Sequence, residues 1–200
     1  MSDLYKTIQS PSKGIYKEKG SKFLAFAFSL SSEEKIKEQI GLLQKEYHDA
    51  RHHCYAWRLG ASMDRYRVND DGEPSGSAGN PIFGQIQAHD LTNILVVVVR
   101  YFGGTLLGVG GLIRAYRSAA SVALEQARII ELKVCNRVKL EFEYEQMNSV
   151  MRVIKDLELD FEDQEFDLKC TLTLRVWKRK MDRVLSLLSI IDGCLITILD

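Results

Sequence analysis

Ile94–Arg128 reads ILVVVVRYFGGTLLGVGGLIRAYRSAASVALEQAR. Ile94–Arg100 is a β-branched run that is apolar at both parities, the composition of a central strand buried on both faces. Helical spacing takes over at Leu112 and predicts a helix to about Arg128. Between them lies a glycine-rich turn containing Gly103, Gly104, Gly108, Gly110 and Gly111. A turn of this kind between a strand and a helix can present backbone N–H groups and a helix N-terminus to an anion. The specific nucleotide signatures are absent. Gly103 and Gly108 have the Walker-A separation, but Val109 stands where the phosphate-binding lysine belongs, and Ile113 replaces the third glycine of the dinucleotide pattern. ATP or NAD use is therefore not expected, and no cofactor is implied.

Toward the N-terminus, the first twenty residues are polar and rich in turn formers, and the core is expected to begin with a strand over Lys22–Leu30. Ser31 and Glu34 have the spacing of a capping box, followed by Ile36, Ile40, Leu43 and Tyr47 on one helical stripe. His52–Leu59 and Arg65–Val68 read as strands, Asn69–Asn80 as a loop, and Pro81–Ala88 as a short helix. Toward the C-terminus the pattern restarts near Glu131–Cys135. Val138–Tyr144 alternates, Met147–Leu157 is helical, and a short strand near Leu159–Phe161 precedes a turn near Glu162–Asp167. A second alternation runs from Leu168 to Val176, a helix covers Met181–Ile191, and Leu195–Leu199 closes as a strand. This β-α-β-β-α-β order is the ferredoxin-like arrangement. The expected class is α+β in two domains, 1–132 and 133–200.

With 200 residues, 46% of them hydrophobic, the chain can bury a sizeable core or two small ones. Lysine plus arginine (27) equals aspartate plus glutamate (27), so any nucleic-acid surface must be a local patch. The start MSDLYKTIQS lacks the plan of a signal peptide, and the longest apolar run falls far short of the roughly 20 residues of a membrane span. A cytoplasmic protein with no membrane partner is expected. Cys54, Cys135, Cys170 and Cys194 lie far apart without a CxxC pair and read as reduced, buried thiols.

Three segments carry more special residues than packing demands. In DARHHCYAW (Asp49–Trp57), strand alternation sends His52, Cys54 and Ala56 to one face and Arg51, His53, Tyr55 and Trp57 to the other. Adjacent histidines on a strand cannot chelate one ion together, so no metal site is assigned. In Asp70–Gly79, the carboxylates of Asp70, Asp71 and Glu73 suit either a hard cation or neighbouring arginines, and the EF-hand spacing is missing. The third is the glycine turn with Arg100, Arg114 and Arg117. A cation at a helix N-terminus opposes the dipole, so Arg114 needs an anionic partner, either Asp70, Asp71 or Glu73 within the chain or a phosphate outside it. There is no GxSxG elbow, no HExxH and no readable nucleophile–base pair.

At ARHHCYAWRLG, NDDGEPSGSAGNP and VVVVRYFGGTLLGVGGLIRAY the chain resembles the YigZ/IMPACT family, with Ser77 where threonine is usual. The resemblance covers about Lys22–Arg128, with the tail matching the smaller domain of the bacterial branch. It implies an N-terminal βαβ-type two-layer domain similar to a ribosomal-protein domain and to domain IV of elongation factor G, and a ferredoxin-like domain similar to its domain V. In eukaryotic members it implies control of translation initiation by interference with a stress kinase. Those members carry an RWD domain that this sequence lacks, so the kinase partner is not carried over. A proline-dipeptidase label attached to some members finds no metallopeptidase ligand set here.

Two functions are carried forward. The first is a non-enzymatic, translation-linked protein binding RNA, the ribosome or a translation-associated partner. Its surface would draw on Arg51, His52, His53, Asp70, Asp71, Glu73, Arg100, Arg114, Arg117 and the glycine turn. The alternative is a metal-dependent hydrolase using His52, His53, Asp70, Asp71 and Glu73 to activate water.

Overall fold

The computed structural model describes residues 3–167 and 169–199; Leu168 of the expected second alternation lies outside them. The chain divides into two compact units, Tyr5–Leu132 and the residues beyond it together with those up to Leu4.

The first unit contains β1 (Leu4–Ile8), β2 (Ser12–Glu18), β3 (Ser21–Ser29), α1 (Glu33–Glu46), β4 (His52–Leu59), β5 (Arg65–Asn69), α2 (Gly79–Ala88), β6 (Ile94–Tyr101), α3 (Gly108–Glu125) and β7 (Ile129–Lys133). Five strands form a sheet in the order β2-β3-β6-β4-β5, and β1 pairs with β7. The doubly apolar β6 sits at the centre, antiparallel to both β3 and β4. β3, α1 and β4 thus make a βαβ unit with β6 inserted between its two strands.

Alternation along β6 feeds two cores. Val96 and Val98 face α2 and α3 among Phe23, Cys54, Ile86 and Tyr116. Leu95, Val97 and Val99 pack with Ile36 and Leu43 of α1 and with Trp57. Helices therefore cover both faces, which makes three layers where two were expected; a strand with no polar parity requires a cover on each side.

Three boundaries differ from the sequence expectation. Ser32, not Ser31, caps α1, its side chain accepting from Lys35 N–H at 3.4 Å. The polar N-terminus contains β1 and β2. α3 begins at Gly108, so Gly110 and Gly111 belong to its first turn.

The second unit contains β8 (Cys135–Phe142), α4 (Met147–Asp156), β9 (Asp160–Phe166), β10 (Cys170–Trp177), α5 (Met181–Leu188) and β11 (Leu195–Leu199). Its sheet runs β11-β8-β10-β9, with every neighbouring pair antiparallel. Val138, Leu140, Leu172 and Leu174 meet Val150 and Ile154 of α4 and Val184 and Leu188 of α5 in a core of its own. β9 occupies the span where a turn near Glu162–Asp167 was expected. All seven of its residues are exposed.

Candidate binding surface

The acidic loop is built inward. Asp70 Oδ1 accepts from the backbone N–H groups of Ala78 and Gly79 at 2.9 and 2.8 Å, and Oδ2 accepts from Gly76 N–H at 2.8 Å. Burial works to raise the Asp70 pKa, but these three donors together outweigh it and hold the carboxyl below its ordinary value. Asp71, in the left-handed region at φ 40°, accepts from His53 N–H through Oδ2 at 2.6 Å. Its carbonyl takes the Nδ1–H of His52 at 2.8 Å.

Glu73 closes the loop onto the sheet. Its Oε1 accepts from Arg100 Nη1 at 2.5 Å and from the Tyr116 hydroxyl at 2.7 Å, with the Glu73 side chain 4% exposed and that of Arg100 8%. Cys54 Sγ lies 3.0 Å from the Asp70 carbonyl and 3.3 Å from Tyr116 Oη, so its single proton serves one of them. Burial pushes both the Cys54 thiol and the Tyr116 hydroxyl well up, which keeps both protonated. The loop, β4, β6 and α3 are thereby joined by one buried polar cluster, and a buried cluster is stabilising only when its members are paired. Tyr116, edge-on to Phe23 at 5.1 Å, is fully buried and central to it.

The candidate metal ligands are consequently not assembled. His52 and His53 stand on opposite sheet faces, as alternation requires, and the acidic oxygens are directed to backbone N–H groups, Arg100 and Tyr116. Among the described residues no group of three or more His, Cys, Asp or Glu side chains is arranged to hold a metal ion. His53 is 6% exposed, and burial depresses its pKa although the Asp71 carboxylate opposes the shift.

The glycines divide by role. A Cβ on Gly103 would lie 1.9 Å from Gly20 C and 2.1 Å from Ser21 N, so this residue is small because the β2–β3 turn crosses it. Gly104 and Gly108 hold φ of 84° and 68° and face open space. Gly110 is helical, and a Cβ there would meet only Arg114 Nη1, at 3.7 Å. The first turn of α3 has neither a side-chain cap nor an acidic residue, which leaves its N–H groups available to an external acceptor. Arg114 lies over that turn, its guanidinium within 4 Å of the Cβ positions of both Gly110 and Gly111.

The sequence-predicted arginines separate in the same way. Arg100 is inside, paired with Glu73. Arg51, Arg114 and Arg117 are exposed and form no ion pair among the described residues. Arg114 thus does not take Asp70, Asp71 or Glu73, each of which is engaged elsewhere. Arg117 borders a cavity of about 250 Å³ with Gly76, Asn80, Pro81, Gly84 and Ile113, beside the end of the acidic loop. A larger open pocket of about 630 Å³ lies at the β6 end of the sheet, lined by Asp49, Arg51, His52, Arg100, Tyr101 and Phe102 among others. Sequence reasoning missed Cys54, Tyr116 and Asp49 as polar partners. Nothing in their local patterns announces them, because each meets its partner across long sequence separations.

Residues 19–124 match the Impact N-terminal domain family, a span that holds both pockets and the buried cluster. The chain belongs to the IMPACT family. Among IMPACT family members it is 37% identical over 134 residues to YigZ of Escherichia coli (strain K12), covering 66% of each chain. It is 33% identical to a Haemophilus influenzae member over 82% of this chain and 81% of that one. The Saccharomyces cerevisiae IMPACT homolog is 35% identical over 96 residues, 46% of this chain and 36% of its own. A crystal structure of a hypothetical protein superposes with a TM-score of 0.78 at 26% identity, over all of this chain and 99% of the other. No helix among the described residues is long and apolar enough to cross a membrane.

Proposed function

We propose that this IMPACT-family chain is a non-enzymatic, translation-linked regulatory protein whose N-terminal unit binds RNA phosphates, on the ribosome or on RNA associated with it. The observation that carries this reading is a pair of exposed, unpaired arginines on α3, Arg114 over its uncapped first turn and Arg117 further along the helix at the cavity beside the acidic loop. Backbone donors that a ligand can approach closely, with guanidinium groups beside them, suit phosphate oxygens. Arg51 extends the cationic surface, while Arg100, Glu73, Asp70 and Asp71 shape it from within.

The fold supports the same reading by analogy alone. We read the β11-β8-β10-β9 strand order of the C-terminal unit as ferredoxin-like, similar to domain V of elongation factor G, and the split βαβ sheet of the N-terminal unit as similar to domain IV of that factor. For the hydrolase alternative, no converging ligand set is found among the described residues. Sedimentation of tagged protein in sucrose gradients tests the proposal. Co-migration with ribosomal particles that weakens with added salt and is lost with nuclease is expected, since phosphate contacts are salt-dependent. Migration only at the top of the gradient under all conditions would overturn it.

A further inference from the structure

We infer that the pocket at the end of β4 and β6 receives a single ribonucleotide, its base stacked on Phe102 and its phosphate on Arg51. This deepens the RNA reading above and rests on it. The volume, about 630 Å³, lies within the range of small-molecule sites, roughly 300–1,000 Å³. Three features of the wall define the ligand.

The first is an aromatic platform. Phe102 is 55% exposed although it follows a core strand, and the Arg100 guanidinium carbon sits 5.8 Å from its ring centroid and 5.6 Å from that of Phe23. Arg100 is itself fixed by Glu73, so the Phe102 ring has a rigid cationic neighbour and an open surface. Leu106, 84% exposed, adds apolar area on the same pocket.

The second is unused hydrogen-bonding capacity. Arg100 is 7% exposed and its Nε has no partner. That nitrogen is itself shut off from solvent, so the capacity open to a pocket ligand is that of Arg51. Arg51 at the rim is likewise unpaired.

The third is Asp49, whose Oδ1 accepts from the Tyr101 hydroxyl at 2.7 Å, a bond that lowers its pKa and keeps it ionised. A carboxylate lining the same pocket as two arginines disfavours a bare anion. It suits a ligand that brings hydroxyl donors together with a phosphate, as ribose does. Cross-strand from Tyr101 lies Lys22, and cross-strand from Lys22 lies Lys17, both exposed and without an ion pair. These lysines offer a path for the adjoining phosphates of a strand.

NMR titration of the full chain with 5′-AMP and, separately, with a single-stranded hexamer of riboadenylate tests the inference. Amide shifts confined to residues 49–52 and 100–106 are expected. Saturation by AMP identifies a free nucleotide as sufficient, whereas saturation by the oligonucleotide alone identifies a nucleotide within a strand; either supports the pocket. Phe102→Ala, which removes an exposed side chain and leaves the fold intact, should weaken binding about tenfold or more, in line with base–aromatic stacking. Arg51→Ala should weaken it as well. If neither ligand shifts these amides, or if Phe102→Ala binds as the parent does, the inference fails. Should an acidic peptide such as hexaglutamate shift them while both nucleotide probes do not, the pocket is a protein site and the inference also fails. The two proposals fail separately. RNA binding lost only on reversing Arg114 and Arg117 would sink the pocket and spare the function, whereas AMP binding without any RNA or ribosome association would do the reverse.

Discussion

Replacing Glu73 with alanine should unfold the N-terminal unit far more readily than the loss of an ordinary loop residue. Glu73 Oε1 holds Arg100 Nη1 at 2.5 Å and the Tyr116 hydroxyl at 2.7 Å, and both charged side chains are less than a tenth exposed. Removing one partner of a buried pair strands the other charge, which costs about 3–5 kcal/mol. Tyr116 also loses the acceptor for its hydroxyl. For a unit of this size such a loss corresponds to a fall in Tm of roughly 10–20 °C. The measurement is urea and thermal unfolding of the full chain followed by Trp57, which is 6% exposed, in a Trp177→Phe background so that only the N-terminal unit reports. The double variant Glu73→Leu/Arg100→Met removes both charges and should return to within about 2 kcal/mol of the parent, because apolar replacement of a buried pair is often close to neutral. A Glu73→Ala loss below about 1 kcal/mol, or a double variant no better than the single one, would refute the closed buried cluster.

Asp70→Asn should cost about 2–3 kcal/mol at neutral pH, since a neutral amide oxygen replaces a carboxylate that takes three backbone N–H groups. The folded-state pKa of Asp70 is depressed below its ordinary 3.8, so its contribution is present above that value and is lost as pH falls through the folded one. Urea midpoints of parent and variant should therefore converge below about pH 4 and diverge above pH 5. Two glycine substitutions should part company. Gly103→Ala drives a Cβ into the backbone of Gly20 and Ser21 and should destabilise by about 3 kcal/mol or more, read in the same melts. Gly110→Ala finds space in a helical turn and should stabilise by about 0.5–1 kcal/mol, yet weaken RNA association by blocking backbone approach, a split seen by running melts beside gradients.

Much of the N-terminal unit was legible because its elements carry strong periodic signals. β6, apolar at both parities, could only be a central strand, and β4 begins and ends at the expected His52 and Leu59. Alternation also separated His52 from His53 without any structure. β2 was not legible for a physical reason. Its inward positions are Ser12, Gly14 and Tyr16, because α3 passes so close that a Cβ on Gly14 would lie 2.6 Å from Ala123 N and the Ser12 hydroxyl bonds the Ala123 carbonyl at 2.7 Å. A strand whose inner face has Ser12 and Gly14 where α3 passes closest, with Tyr16 its one large inward side chain, has no apolar period to read. β9 hides differently, since an edge strand exposed along its whole length alternates in nothing. The start of α3 was obscured by Gly108, Gly110 and Gly111, which resemble a loop and instead form an uncapped first turn. Within the site, residue types were readable and partners were not. The sequence offered Asp70, Asp71 or Glu73 as the partner of Arg114, whereas Glu73 takes Arg100, which lies buried at the end of β6 while Arg114 stays exposed.

The central claim is that exposed arginines of α3 meet RNA phosphates, and the most direct measurement is gradient co-sedimentation of the parent against Arg114→Glu/Arg117→Glu at matched salt. Both residues are exposed and unpaired, so the variant should fold as the parent does, with an unchanged urea midpoint, while its ribosome- or RNA-associated fraction falls to background. A folded double variant that co-sediments as the parent does would contradict the account.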